Sequence, residues 1–248
     1  DTAQAPAALY KGKFAGTLGD IGGYSLNYHK HVHTGEGGVV VTNDDALAER
    51  VRLIRNHAEA VLNDREEMPL NNMLGYNFRL GEIECAIGIE QLKKLPALVA
   101  SRQHLAERLA EGIRDLPGLQ VPVVGEGNTH VYYVFPLLVD PLITGCSKEE
   151  LAAALKAEGV ELATRYQNLH LLPMYQKKMA YGSTGFPWSA EFSRQSVSYD
   201  KGICPVAEVM NDSTYLGFGM CVYDLNEADI DLIIQAFRKV WAHKVAAV

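Results

Sequence analysis

Two spacings alternate along this chain and restrict it to an α/β fold. Helical spacing comes in long runs. Leu47, Val51 and Ile54 keep the i, i+4, i+7 step behind a cap at Asn43 or Asp44, which predicts a helix to about Arg55. Residues 80–95 form a second run, with Ile83, Ala86, Ile87, Leu92 and Leu95 on an apolar stripe that Pro96 is expected to interrupt. A third run, 98–115, aligns Leu105, Leu109, Ile113 and Leu116 and ends at Pro117–Gly118. A capping box at Ser147–Glu150 opens another helix. Asn226 caps the last one, with Ile230, Ile233, Ile234, Phe237 and Trp241 facing inward. Strand-like runs stand between them: DIGGYSLNY at 20–28, a Gly-rich turn and buried strand in GEGGVVVT at 35–42, and VYYVFPLLV at 131–139. Such alternation is the rhythm of α/β domains.

Residues 58–75 are polar, contain Pro69 and read as loop, and residues 176–200 read as a long surface excursion. A domain boundary is expected near 96–101. It separates a glycine-rich first part, 1–100, from a regular α/β second part, 101–248.

Composition closes off other classes. The 248 residues are 48% hydrophobic and 21% charged, which excludes disorder and allows one large domain or one and a half smaller ones. The longest apolar stretch, Val131–Val139, contains Pro136 and is far short of the roughly 20 residues of a membrane span. The net charge of −7, from 23 basic and 30 acidic residues, gives no general attraction for nucleic acid. Four scattered cysteines, Cys85, Cys146, Cys204 and Cys221, lack zinc spacing and fit a reduced, cytoplasmic protein. The opening DTAQAPAALY has neither the basic start nor the apolar core of a signal peptide, and reads as a chain entered in the middle of a fold.

The chemistry is concentrated in residues 1–38. Lys30 stands 29 residues after the acid Asp1 and five after Ser25, just before the glycines of TGEGG. A lone loop lysine is usually solvated. A lysine with a carboxylate and a hydroxyl at set distances meets the needs of pyridoxal phosphate. That cofactor needs an amine for its carbonyl, a carboxylate to keep its ring nitrogen protonated, and hydroxyl or N–H donors for its phosphate.

In order and spacing, D-x-A-Q-A, G-D-I-G-x-Y-S, S-x-x-x-x-K and T-G-E-G-G resemble the DegT/DnrJ/StrS-type sugar aminotransferases. G-Y-N-F-R-L-G-E-I-E at 75–84 and Q-L-K-K-L at 91–95 continue the resemblance. R-Y-Q-N-L-H-L-L-P-M-Y at 165–175 and C-P-V-A-E at 204–208 extend it weakly. The resemblance implies a fold-type-I pyridoxal 5'-phosphate enzyme: 1–100 as the C-terminal part of the large cofactor domain, 101–248 as a small α/β domain, and the N-terminal half lacking. It implies Lys30 as Schiff-base lysine and proton carrier, Asp1 on the ring nitrogen, Gln4 against the ring and Ser25 on the phosphate. Asn77 would reach the phosphate of a neighbouring subunit, so that a homodimer shares its active sites, and Arg79 lies in the same motif. The implied reaction moves an amino group from glutamate or glutamine to a nucleotide-linked keto-sugar, for polysaccharide or antibiotic sugar biosynthesis. A sugar dehydratase on the same scaffold and a non-catalytic regulatory protein are the alternatives. Relatives with histidine at the lysine position remove a hydroxyl group instead of transferring an amine.

Several residues carry a second reading. Asn77 also suits an N-cap of the following helix. His29, His31 and His33 alternate, which on a strand would put them on one face, where zinc or copper could bind. The lysine and glycines already account for the segment, so no metal is expected, and His29 and His31 are set down as substrate contacts. Tyr166 reads as an ordinary half-buried aromatic, while His170 is left between pocket residue and packing residue. Gly35, Gly37 and Gly38 lack the Lys-Ser or Lys-Thr pair of a Walker loop and read as a tight turn.

Overall fold

The computed structural model describes residues 1–58, 73–193 and 196–245. Most of the loop expected at 58–75 lies outside the described residues. The chain gathers into two compact units. The first is Asp1–Glu107 with Val123–Val134 and Met220–Leu225, and the second is Arg108–Pro122, Phe135–Gly219 and Asn226–Val248.

The first unit opens with a small hairpin, β1 (Leu9–Tyr10) and β2 (Lys13–Phe14). Its turn residues Lys11 and Gly12 both have positive φ, the geometry that matches the twist of paired strands. A second antiparallel pair follows, β3 (Ile21–Ser25) and β4 (Gly38–Thr42), in register from Ile21 opposite Thr42 to Ser25 opposite Gly38. A Cβ at Gly22 would lie 1.9 Å from the Gly16 carbonyl oxygen, so only glycine fits there. The strand expected to be buried at VVVT forms, but Val39 and Val40 are exposed, because among the described residues β4 pairs only with β3. Helix α1 (Asp45–Arg55) is capped by Asp44, whose carboxylate accepts from the Leu47 amide at 2.9 Å.

Helix α2 (Glu82–Ile113) corrects one expectation outright: Pro96 does not interrupt it. Proline removes the donor to the Leu92 carbonyl and crowds it, a cost of about 3 kcal/mol in a helix interior. The apolar face continues across the proline and offsets that cost. Leu95 and Val99 are buried with Ala8, Val32 and Val131 in one cluster. The first turns are different, since Ile83 and Leu92 are 76% and 63% exposed.

In the second unit, β5 (Leu119–Gln120), β6 (Phe135–Val139) and β7 (Tyr215–Phe218) form an antiparallel sheet in the order β5-β6-β7. The run expected as a strand from Val131 pairs only from Phe135 onward. Tyr132 has φ of +51°, which a strand does not accommodate. Short helices α3 (Pro141–Thr144), α5 (Pro173–Gln176) and α6 (Pro205–Val209) accompany α4 (Lys148–Ala157) and α7 (Glu227–Lys244). The capping box expected at Ser147 with Glu150 forms on α4, and the expected Asn226 cap of α7 closes a further box with Asp229. The core is Leu109, Ile113, Phe135, Leu137, Leu151, Leu155, Leu216, Ile230 and Phe237, each at most 1% exposed. Each such side chain is worth about 1.5–3 kcal/mol of burial. Arg108 on α2 forks onto Asp231 of α7 with bonds of 2.8 and 2.9 Å.

The excursion at 176–200 is organised by aromatic rings. Trp188 Nε1 donates to the Tyr199 hydroxyl at 2.9 Å, and Tyr175 packs against both rings. All four cysteines are free thiols. No helix among the described residues is long and apolar enough to cross a membrane.

Candidate active site

The site grows from the ends of β3 and β4. Between Ser25 and Gly38 the chain leaves the hairpin as a loop and returns, and hydrogen bonds close that loop at its base. Leu26 N donates to Gly37 O at 2.9 Å, Thr34 N to Leu26 O at 3.0 Å, and the Asn27 amide to Glu36 Oε1 at 2.6 Å. Gly37, at φ +150°, lets the chain turn back: a Cβ there would meet Leu80 at 2.9 Å and Thr34 at 3.0 Å. Inside the loop Lys30 N donates to Asn27 O at 3.0 Å, which places Lys30 at the end of a tight turn.

The other front residues join the same framework. Thr2 is buried, and both its amide and its hydroxyl donate to the Gly23 carbonyl, at 2.9 and 2.8 Å. Asp1 is therefore held next to the middle of β3, with its carboxylate accepting from Ala3 N at 2.9 Å. Ser25 lies two residues further along that strand, about 7 Å at the usual rise. Its hydroxyl accepts from Asn27 N at 3.2 Å. Gln4 is exposed in the turn that follows Asp1.

The alternating histidines do not share a face, because residues 29–33 are turns and not a strand. His31 is 3% exposed and its Nε2–H donates to the Val131 carbonyl at 2.6 Å. His29 packs its ring edge-on to Tyr28 and 5.9 Å from Tyr133. His33 is exposed and accepts from Gly35 N at 3.4 Å. Among the described residues no three His, Cys, Asp or Glu side chains are grouped to hold a metal ion.

Burial lowers the His31 pKa to about 4. The Arg102 and Lys30 charges push the same way, and the Val131 carbonyl opposes them. The folded value lies below the unfolded value of about 6.5, so folding favours the neutral ring. That contribution is complete above about pH 6.5 and is lost as pH falls through about 4, a change of about 3 kcal/mol. His31→Gln keeps an N–H for Val131 and has nothing to titrate. Urea unfolding of both proteins at about pH 7 and about pH 4.5 should show the wild type losing more stability than the variant. Equal losses would refute the assignment.

Tyr133 is the residue that the sequence did not announce. The Lys30 ammonium lies over its ring, 4.5 Å from the centroid. Segment 130–133 is braced from several sides. His31 holds Val131, Gln103 donates to the His130 carbonyl at 2.9 Å, and Tyr132 N donates to His130 Nδ1 at 2.9 Å. Tyr132 sits in the left-handed region, which costs a non-glycine residue about 1–2 kcal/mol.

Asn77 and Arg79 stand on an extended stretch. Tyr76 N donates to Ile54 O and Phe78 N to Arg55 O, so the stretch pairs with the end of α1. Asn77 is not a helix cap, because α2 starts only at Glu82. Both side chains are exposed, and Arg79 donates to Asn56 Oδ1. His170 belongs to the second unit. There its Nε2 lies 2.8 Å from Glu208 Oε1, with both side chains buried. Glu208 also accepts from the amides of Gly202 and Cys204. The Gly202 amide is the main cause of its lowered pKa, with His170 adding to it. Tyr166 is exposed, not half-buried, and packs edge-on to Tyr215.

The sequence profile of the DegT/DnrJ/EryC1/StrS aminotransferase family matches residues 1–202, and the chain belongs to that family. It is similar to spore coat polysaccharide biosynthesis protein SpsC of Bacillus subtilis, 27% identical over 97% of this chain and 58% of the relative. It is also similar to GDP-perosamine synthase of Caulobacter vibrioides, 31% identical over 97% of this chain and 57% of that protein. A crystal structure of a DegT DnrJ EryC1 StrS aminotransferase from Brucella abortus superimposes with a TM-score of 0.74 at 27% identity, covering 96% of this chain and 55% of that one. The fold is that of the fold-type-I pyridoxal-phosphate transferases. The chain spans just over half the length of these relatives.

The cofactor of this family suits the donor set present. A carboxylate, a hydroxyl and a primary amine stand on one bonded framework of Asp1–Thr2, β3 and the closed loop. Two buried atoms in the same unit, His31 Nδ1 and Arg102 Nη1, have no hydrogen-bond partner among the described residues, so polar capacity is left open there.

Proposed function

We propose that this protein is a pyridoxal-phosphate aminotransferase that moves an amino group from glutamate or glutamine to a nucleotide-linked keto-sugar. The closed loop carrying Lys30 is the observation that supports this reading, because it offers one lysine from a braced loop that leaves directly from β3, the strand that carries Ser25 and to which Thr2, next to Asp1, is bonded. The curated relatives carry names such as GDP-perosamine synthase, which is where the sugar enters the proposal. Pyridoxal phosphate, when bound, supplies an electron sink and a carbonyl that takes up the amine.

The residues divide the remaining work. Lys30 Nζ would hold the cofactor and carry the proton in both half-reactions. The Asp1 carboxylate would pair with the ring nitrogen and favour its protonated form. Gln4 would serve the ring, and the Ser25 hydroxyl would donate to the phosphate. Asn77 is exposed and serves the phosphate of a second copy, which makes the enzyme a homodimer with shared sites, and Arg79 stands beside it. His29, His31, Arg79 and His170 are the substrate-side candidates; His29 and His31 both adjoin the lysine in sequence, and His31 and His170 are held by Val131 and Glu208. Residues 1–100 act as the C-terminal part of the large cofactor domain and 101–248 as the small domain, in a cytoplasmic protein.

The test is amine transfer. Purified protein loaded with pyridoxal phosphate should convert a nucleotide-linked 4-keto or 3-keto sugar to its amine only with glutamate or glutamine present. Conversion to a deoxygenated sugar without an amino donor would establish the dehydratase instead.

A further inference from the structure

We infer that Tyr133 is a positioning residue for Lys30: its ring face docks the lysine side chain at one place on the loop. This rests on the reading of Lys30 as the cofactor lysine. The observations are geometric. Lys30 Nζ lies 4.5 Å from the Tyr133 ring centroid, within the range of a cation–π contact. His29 and His31 flank the same ring at 5.9 and 6.4 Å. Val32 and Val131 share one buried cluster. Each residue from His29 to Val32 thus engages 131–133, a segment about a hundred positions away in the chain.

The segment is built to hold that ring still. Tyr132 takes a left-handed φ of +51°, which turns the chain and sets the ring of Tyr133 under the lysine. Hydrogen bonds from His31 to Val131 and from Gln103 to His130 fix the near side. Cys221 N donates to the Tyr133 carbonyl at 3.4 Å and fixes the far side. A lysine has a long flexible stem and loses much rotamer freedom when it is placed. A ring that attracts the ammonium takes up part of that loss before any cofactor arrives.

The reading is tested on two properties of the protein. One is the rate at which Lys30 is acylated in the cofactor-free protein, followed by peptide mass spectrometry with exposed Lys239 as internal reference. A docked amine meets the reagent less often than a free one. Tyr133→Leu should therefore raise Lys30 labelling about three- to tenfold, the range that a cation–π contact of this kind sets, and leave Lys239 unchanged. Tyr133→Phe keeps the ring face and should stay within about twofold of wild type. The other property is the second-order rate of cofactor capture, read from the visible band of the bound cofactor, which should fall in Tyr133→Leu and recover in Tyr133→Phe.

Equal labelling and capture in Tyr133→Leu and wild type would overturn the inference, as would a Tyr133→Phe variant that behaves like Tyr133→Leu. If Tyr133→Leu loses its fold by circular dichroism, Tyr133→Met takes its place with the same thresholds. Lys30→Ala separates the two levels. A visible band that survives Lys30→Ala defeats the cofactor-lysine reading itself. A band lost in Lys30→Ala but indifferent to Tyr133 defeats only the docking role.

Discussion

Lys30→Ala should lower amine transfer by at least about 10⁴-fold, because on the reading proposed above it removes the nucleophile and the proton carrier together. Borohydride reduction of the loaded protein should leave a cofactor-sized mass on the peptide containing Lys30 in wild type and none in the variant. The effect should be local. Lys30 is a partly buried loop residue whose side chain makes no hydrogen bond among the described residues, so melting temperature should stay within a few degrees of wild type. A variant that retains transfer, or that carries the mass on another lysine, would remove Lys30 from the reaction.

The largest effect on stability is expected at a different lysine. Lys148 stands in the first turn of α4, where a positive charge meets an unfavourable helix dipole, and its side chain is fully buried. Its ammonium donates to the Thr164 carbonyl at 2.7 Å and to the Asn211 carbonyl, with Glu149 3.8 Å away. Burial lowers its pKa and Glu149 opposes the shift. Lys148→Ala strands two part-buried carbonyls and opens a cavity where a fully buried side chain stood, and should cost about 3–5 kcal/mol in urea unfolding. Lys148→Met refills the stem without the donors and should recover about 1–2 kcal/mol of that. Asn211 adds a reason to expect a wide footprint. Its side chain accepts from Tyr166 N at 2.6 Å and donates to Asn168 at 2.7 Å, so the lysine anchors a whole polar corner. A loss of under about 1 kcal/mol in Lys148→Ala would mean that water replaces the ammonium at those carbonyls.

What the sequence announced was what neighbours decide. Ser147 with Glu150 closes its box within one turn of helix and Asn226 caps α7 by bonds equally local, so the residues alone identify both caps. The turn that carries Lys30 is partly local as well: Asn27 N bonds to the Ser25 hydroxyl and Lys30 N to the Asn27 carbonyl, while the bonds from Leu26 to Gly37 and from Thr34 to Leu26 close the loop over longer spans. Pro96 shows the opposite case. Local chemistry argues for a break, and only burial of Leu95 and Val99 against Val32 and Val131 overrides it. The run from Val131 reads as a strand by its side chains, and the backbone of Tyr132 disagrees. The histidine alternation failed because it presumed a strand where the loop forms turns. Tyr133 could not be found in the sequence at all, since its partner Lys30 lies 103 positions earlier.

The base of the Lys30 loop has a kinetic meaning as well. Leu26, Lys30 and Thr34 all spend their backbone protons inside the loop, on Gly37, Asn27 and Leu26. None of these bonds relies on β3 or β4 beyond the junction. In hydrogen-exchange terms the three amides should share one opening event, and the His31 bond to Val131 ties that event to the 131–133 segment. The Lys30 amine is thereby carried by a latched loop and not by a strand end that frays residue by residue.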